Sequence, residues 1–179
     1  MHGHTEDGRR GAAPLEIERK YLIAWPDVAA LERNPDCERV DIVQTYLRTD
    51  DPRDTLRVRR WESGGKCVYI KTYKRKLTAL TRIEREEEIA EADYEALRAR
   101  PDPDCRPIVK RRYRVKENGF CYEIDVFPEW TDRAILEIEL TGEDQPVLLP
   151  DWVSVIREVT DDPRYTNRAL ARRNRPWPD

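Results

Sequence analysis

The chain has 179 residues, a charged fraction of 39% and a formal net charge of −3. This length fits one domain with a sizeable core, and the near balance of acids and bases argues against a general nucleic-acid binder, which normally has a basic surplus. No apolar run is long enough to span a bilayer, and the four cysteines form no CxxC pair, so neither a membrane span nor a zinc ribbon is expected. We therefore expect a cytoplasmic protein with reduced thiols.

Residues 1–13 are rich in glycine and charge, and we expect them to form a flexible lead. The only histidines, His2 and His4, fall in this segment. Histidine chemistry is therefore not expected, and a metal ion would need oxygen ligands. Residues 14–175 show no internal repeat and no linker, so we expect one domain there.

The first half of this domain is predicted to be strands with one short helix. Residues 15–23 alternate in polarity, which predicts a strand. Pro26-Asp27 opens a helix that Asn34-Pro35 ends. Ser63-Gly64-Gly65 predicts a hairpin turn, and the basic residues 74–80 predict a loop. Further strands are expected at residues 40–48, 56–61 and 67–73.

The second half continues the same pattern. Residues 91–100 have helical spacing and end at Pro101, and Asn118-Gly119 is a strong hairpin signal. Strands are expected at residues 81–90, 107–116, 120–127 and 134–141, and helical pieces near 144–157 and 165–174. This order predicts an α+β fold, a closed eight-stranded antiparallel β-barrel flanked by a few helices, because closure removes the sheet edges.

Most of the strands share an unusual property: charged residues occupy every second position, so each of these strands has one ionic face. For a single strand the ordinary interpretation is a solvated face, because antiparallel sheets commonly expose one side. Two features favour an inward ionic face. The helices need an apolar surface to pack on, and like charges two residues apart repel unless a metal ion or a phosphate relieves them. The pattern therefore predicts a tunnel lined by carboxylates and guanidinium groups.

The ionic strands occur in an order that resembles the CYTH superfamily, the triphosphate tunnel metalloenzymes. The resemblance extends from about residue 15 to residue 172. Some relatives carry lysine where Pro163 stands, so a lysine contact to substrate from this position is not expected. The matching segments are Glu16-Ile17-Glu18-Arg19-Lys20, Gln44-Thr45-Tyr46-Leu47, Leu56-Arg57-Val58-Arg59, Ile70-Lys71, Arg82–Glu88, Lys110-Arg111-Arg112-Tyr113, Glu123–Phe127, Leu136–Leu140 and Val159–Asn167.

This resemblance implies a hydrolase that cleaves a triphosphate with Mg²⁺ or Mn²⁺. The residues expected to bind phosphate are Lys20, Arg57, Arg59, Lys71, Arg82, Lys110 and Arg112. The expected metal ligands are Glu16, Glu18, Asp125, Glu137 and Glu139. The expected catalytic residues are Glu16, Glu18, Lys20, Glu86 and Asp125.

Three chemistries are compatible with this architecture, and inorganic tripolyphosphate hydrolysis is the preferred one. Thiamine triphosphate hydrolysis would need an aromatic seat, and an adenylyl cyclase of the CYTH type would attack the α-phosphorus. A polyphosphate-binding module without activity would keep the bases but lose the acids, which are present here. The partner is expected to be a small polyphosphate or organic triphosphate, with no nucleic acid or membrane involved. The candidate aromatic seats are Trp61, Tyr69, Tyr73 and Trp130.

Overall fold

The structure, a computed structural model, describes residues 17–76, 82–142 and 144–179. The described chain forms one antiparallel sheet of nine strands in the order β5-β4-β3-β2-β6-β7-β8-β1-β9. The strands are β1 (Ile17–Ala24), β2 (Cys37–Leu47), β3 (Asp54–Ser63), β4 (Lys66–Lys76), β5 (Arg82–Ile89), β6 (Ile108–Glu117), β7 (Phe120–Val126), β8 (Arg133–Leu140) and β9 (Val155–Glu158).

The predicted antiparallel α+β class and the eight predicted strands are confirmed. Closure into a barrel is not confirmed, because β5 and β9 are the two edge strands of the described sheet. The ninth strand, β9, pairs with β1 along Tyr21–Ile23 and so occupies an edge that closure of the barrel would use. The charged faces nevertheless curve around a common cavity, described below.

Two hairpins form where glycine predicted them. Gly64 and Gly65 link β3 to β4 with φ angles of 55° and 77°, and Gly119 links β6 to β7 with a φ of 80°. These angles lie in the left-handed region, where a side chain is strained and glycine is not. The turns therefore set the register of β3 with β4 and of β6 with β7.

The helices are short: α1 (Val28–Arg33), α2 (Glu91–Arg98) and α3 (Asn167–Ala171), with a 3₁₀ turn at Pro163–Tyr165 before α3. Asp27 caps α1, because its carboxylate accepts a hydrogen bond of 2.9 Å from the Ala30 amide. The helix predicted near 144–157 is wrong. Pro146 and Pro150 interrupt that stretch, which runs irregularly into β9. No helix in the described residues is long and apolar enough to cross a membrane.

Residues 74–76, predicted to belong to a loop, are part of strand β4. Lys74 pairs with Thr55 and Arg75 with Asp54, so β4 continues to Lys76. Residues 77–80 of the predicted loop lie outside the described residues, as does the predicted flexible lead.

The outward face of the sheet carries the covering segments, which pack on its apolar residues. Under α1 and residues 144–154 lies an outer cluster of buried residues that includes Tyr21, Tyr113, Tyr122, Leu136 and Ile138. Tyr94 of α2 packs against Tyr69 of β4, with ring centroids 4.8 Å apart. Helices α1 and α2 therefore pack on the outward face, as predicted, and leave the inward face of the strands for the charges.

The C-terminal segment covers one end of the inward face. Tyr165, Leu170 and Ala171 pack with residues from six strands or strand ends in a second group, the inner apolar cluster. Its other members are Leu22, Tyr46, Cys105, Ile108, Phe127, Trp130, Ile135 and Val159. The inward face is thus apolar at the end closed by α3 and ionic over the rest.

We expect Leu136→Ala to lower the free energy of unfolding by roughly 2–5 kcal/mol, because it leaves a cavity in the outer cluster. Leu136 is 0% exposed, whereas Leu148 is 57% exposed and gives a control with the same chemical change. Urea denaturation of both variants measures the difference. Equal effects of Leu136→Ala and Leu148→Ala would contradict the assignment of the outer cluster as core.

Candidate active site

The ionic part of the inward face encloses a cavity of about 280 Å³. All eight strands from β1 to β8 contribute a lining residue, and α3 contributes one. The lining residues include nearly equal numbers of cations and carboxylates, so the cavity is neither wholly positive nor wholly negative. The lining residues are Glu18, Lys20, Gln44, Arg57, Arg59, Trp61, Lys74, Glu84, Glu86, Lys110, Arg112, Arg114, Glu123, Glu137, Glu139 and Asn167.

Arg112 lies at the centre of the β6–β8 wall and contacts three carboxylates. It donates to Asp125 through Nε at 2.6 Å, to Glu137 through a terminal nitrogen at 2.7 Å, and to Glu123 by a shorter bond. Burial alone would lower the pKa of Arg112, but these carboxylates raise that pKa well above its ordinary value. Arg112 is therefore a fixed cation that holds this wall together.

Glu137 is buried between two cations. Its carboxylate lies 2.9 Å from the Lys20 amine and 2.7 Å from the Arg112 guanidinium. Burial alone would raise the pKa of Glu137, but Arg112, Lys20 and Lys110 outweigh this and hold the pKa far below its ordinary value. Glu137 is thus an anion that keeps Lys20 and Arg112 in place.

Lys110 is the most deeply buried lysine that lines the cavity. Its amine donates a very short hydrogen bond to Asp125, whose side chain is 1% exposed. Burial, followed by repulsion from Arg112, lowers the pKa of Lys110 to about 8 although Asp125 opposes this. Lys110 can therefore change its charge within a physiological range, unlike the arginines around it.

The β2–β3 wall has fewer carboxylates. Arg59 donates to Glu86 on β5 at 2.6 Å, and Glu86 also accepts a hydrogen bond of 3.1 Å from Thr72. Burial, with repulsion from Arg57, lowers the pKa of Arg59 to about 10. In the part of the chain that the structure describes, no carboxylate forms an ion pair with Arg57. This wall therefore offers the most available positive charge.

Glu18 and Glu139 form the open rim of the cavity. They are opposite each other in the β1–β8 ladder, and Glu18 is 48% exposed with the Lys20 amine 3.6 Å away. Carboxylate oxygens with solvent access suit a hard divalent cation. Within residues 17–76, 82–142 and 144–179, no group of three acidic, His or Cys side chains is preassembled for a metal. Glu18 and Glu139 therefore supply two accessible carboxylates at the rim and do not by themselves complete a metal site.

The other predicted metal ligands are differently placed. Asp125 and Glu137 are buried and form ion pairs with Lys110, Arg112 and Lys20. Glu16 lies outside the described residues. Of the predicted set, the structure leaves Glu18 and Glu139 at an accessible position.

The prediction that Lys71 shares the face of Arg57 and Arg59 is wrong. Lys71 is paired with Val58 in the β3–β4 ladder, on the outward face, and its amine contacts Glu87 at 2.8 Å. Thr72 takes the inward position instead, opposite Arg57. Arg82 begins β5 opposite Lys76, and its predicted role stays a prediction.

Among the four candidate aromatic seats, one lines the cavity. Trp61 does so, with the Arg59 guanidinium 5.6 Å from its ring centroid. Tyr69 packs under α2, Tyr73 donates to Asp54 at 3.0 Å, and Trp130 belongs to the inner apolar cluster. An organic group on a triphosphate would therefore meet Trp61 alone of these four.

The sequence analysis missed several lining residues, among them Gln44 and Asn167. Gln44 lies in the segment Gln44–Leu47, whose match was noted without a role for the amide. Asn167 begins α3, and its side-chain oxygen is 3.5 Å from the Lys110 amine. Arg164 does not line the cavity, because it donates to Asp162 at 2.7 Å in an exposed pair.

The fold and cavity define a class of protein in which one antiparallel sheet lines a cavity of paired acidic and basic side chains. A family model of the CYTH domain matches residues 14–161, and the chain belongs to the CYTH domain family. The matched range lies inside the predicted domain of residues 14–175.

Relatives extend this result over most of the chain. The inorganic triphosphatase of Nitrosomonas europaea is 35% identical over 161 residues, which cover 87% of this chain and 96% of that protein. The inorganic triphosphatase of Acetivibrio thermocellus is 34% identical over 162 residues, which cover 88% and 93%. A crystal structure of an inorganic triphosphatase matches with a TM-score of 0.58 and 31% identity, covering 90% of this chain and 97% of that one.

Glu137→Gln should lower the free energy of unfolding at pH 7 by roughly 3–5 kcal/mol, because it removes the carboxylate that pairs with the buried cations Lys20 and Arg112. The stabilisation by Glu137 is present above its ordinary pKa of 4.5 and is lost as the pH falls through the depressed pKa. The difference between wild type and variant should therefore shrink below pH 4.5. Chemical denaturation over a pH series measures it.

Glu139→Gln is the matched control, because Glu139 is on the same strand and exposed at the rim. It should change the free energy of unfolding by less than about 0.5 kcal/mol. Equal destabilisation by both substitutions would contradict the separation into a buried structural acid and an accessible rim acid.

Proposed function

We propose that the protein is a divalent-metal-dependent hydrolase that cleaves inorganic tripolyphosphate to pyrophosphate and phosphate. The observation that carries this proposal is the cavity, in which cations from several strands face a common space closed at one end. The relatives named above support the choice of substrate, since two proteins that match most of the chain are inorganic triphosphatases. We expect the enzyme to act in the cytoplasm on a small substrate, with no nucleic acid or membrane partner.

The cations would bind the substrate. A triphosphate resists hydrolysis because a nucleophile must approach negatively charged oxygens, so neutralising those oxygens lowers the barrier. Arg57 and Arg59 offer guanidinium groups suited to paired phosphate oxygens, and Lys20, Lys110 and Arg112 line the same cavity from β1 and β6. Binding between two basic walls would hold the phosphate chain straight for in-line attack.

Glu18 and Glu139 fit a divalent cation at the rim, and Glu16 is the neighbouring acid in the sequence. Mg²⁺ or Mn²⁺ bound there would neutralise phosphate oxygens and the charge that develops on them. We propose that Asp125 and Glu137 act as positioning residues, since they hold Lys20, Lys110 and Arg112 in place.

Glu86 is the candidate for orienting the attacking water. Its carboxylate contacts Arg59 on the cavity side and is partly open to solvent. A carboxylate there can accept a hydrogen bond from water beside a bound phosphoryl group. The proposal needs no covalent intermediate, because water can attack phosphorus directly.

A substrate panel tests the proposal against its alternatives. The protein is offered tripolyphosphate, thiamine triphosphate and ATP with Mg²⁺ or Mn²⁺. Phosphate and pyrophosphate formed fastest from tripolyphosphate would support the proposal. Preference for thiamine triphosphate, cyclic AMP with pyrophosphate from ATP, or binding without product would replace it by a thiamine triphosphatase, a cyclase or a binding module.

Glu18→Gln should reduce turnover of tripolyphosphate by at least about 100-fold while the protein stays folded, because a rim ligand loses its charge with little change in volume. Phosphate release and thermal unfolding are measured together. Glu129→Gln, the same change at an exposed position outside the cavity, is the control. Near-normal turnover in Glu18→Gln would remove Glu18 from the metal site.

Binding of tripolyphosphate without metal should weaken as the pH rises through about 8, the pKa of Lys110. The protonated amine binds phosphate and the neutral amine does not, so the affinity should fall by up to about tenfold per pH unit above this value. Calorimetric titrations between pH 6.5 and 9.5 follow the change. Lys110→Met should bind more weakly and lose this pH dependence; an unchanged profile in that variant would contradict the role of Lys110.

A further inference from the structure

One wall of the cavity contains three buried N–H groups that lack an acceptor. Gln44 is 1% exposed, and its side-chain Nε2 has no hydrogen-bond partner among the described residues. The Nε atoms of Arg57 and Arg59 are likewise buried without a partner there. Buried donors are normally paired, because an unpaired donor loses its hydrogen bonds to water without replacement. Three in one place indicate a site completed by an external acceptor.

The strand register brings these donors together. Gln44 is opposite Arg59 in the β2–β3 ladder, and Arg57 is the next inward residue on β3. All three line the cavity. On its other side Gln44 is opposite Ile108. Ile108 and Tyr46 belong to the inner apolar cluster, so Gln44 stands where the ionic part of the cavity ends.

The rest of the cavity lining, from β6 to β8 and β1, is different because its donors already have partners. Arg112 contacts three carboxylates, and Lys20 and Lys110 each contact one at hydrogen-bond distance. An anion that enters the cavity therefore finds the unsatisfied donors on the β2–β3 wall. The inner apolar cluster behind Gln44 contains no charged side chain among its members to bind a phosphate chain that continued further.

We propose that Gln44 is a substrate-binding residue whose amide N–H donates to the terminal phosphoryl group of a linear polyphosphate at the inner end of the cavity. Arg57 and Arg59 hold the same phosphoryl group by their unpaired Nε–H groups. This inference rests on the proposed function and deepens it: the substrate enters with a free phosphoryl end first. The rest of the chain then extends toward the rim carboxylates Glu18 and Glu139.

Gln44→Met tests the proposal, because methionine has a similar size and no donor. The dissociation constant of tripolyphosphate without metal should rise about tenfold, the loss expected for one hydrogen bond to a charged group. The melting temperature of the ligand-free variant should be unchanged or higher, since an unpaired buried donor has been removed. Thr45→Val, on the outward face of the same strand, should keep the wild-type affinity.

Gln44→Glu is a second variant of the same size. Its carboxylate would pair with Arg57 and Arg59 and occupy the position of the phosphoryl group, so tripolyphosphate binding should weaken by more than about 100-fold. The ligand-free melting temperature should not fall. This variant decides the outcome if Gln44→Met does not fold.

The outcomes separate this inference from the proposed function. Failure of the wild type to bind or cleave tripolyphosphate overturns the proposed function. A wild type that binds, with equal affinity in Gln44→Met and Gln44→Glu, overturns the role of Gln44 alone. A lower melting temperature in both variants, with affinity unchanged once the fraction folded is corrected for, assigns Gln44 a structural role and also overturns the inference.

Discussion

The structure depends on the pairing of charges that are buried along the inner face of one sheet. A buried charge is costly unless an opposite charge and hydrogen bonds compensate it. Cross-strand neighbours provide this compensation here: Arg112 on β6 faces Asp125 on β7, and Lys20 on β1 faces Glu137 on β8. The register of these strands therefore matters twice, since it places the apolar residues outside and matches the ions inside.

This pairing divides the acids of the cavity into two groups with different tasks. Asp125 and Glu137 form ion pairs with neighbouring cations and fix the positions of those cations. Glu18 and Glu139 remain at the rim, where solvent or a metal ion can reach them. The β2–β3 wall, with Gln44, Arg57 and Arg59, has donors in excess. A polyanion can therefore bind to this wall without first breaking the ion pairs that stabilise the opposite one.

The alternation of charged and apolar residues was sufficient to predict eight strands, the outward packing of α1 and α2 and the cavity position of most site residues. The alternation could not show which face of β4 points into the cavity. Tyr69, Lys71 and Tyr73 occupy every second position, just as the charged residues of the neighbouring strands do. The contact of Tyr69 with Tyr94 turns that face outward, and this is a tertiary interaction. The ninth strand was missed because four residues are too few for the pattern to separate strand from helix. Gln44 was missed because an uncharged residue does not stand out in a charge pattern.

A crystal structure of the protein with tripolyphosphate and Mn²⁺ tests the central claim most directly. The account predicts an anomalous manganese peak between the carboxylates of Glu18 and Glu139, and a phosphate chain along the inner face with its far end at Gln44, Arg57 and Arg59. The phosphate chain bound on the outer face of the sheet, or a manganese peak away from the rim, would contradict it.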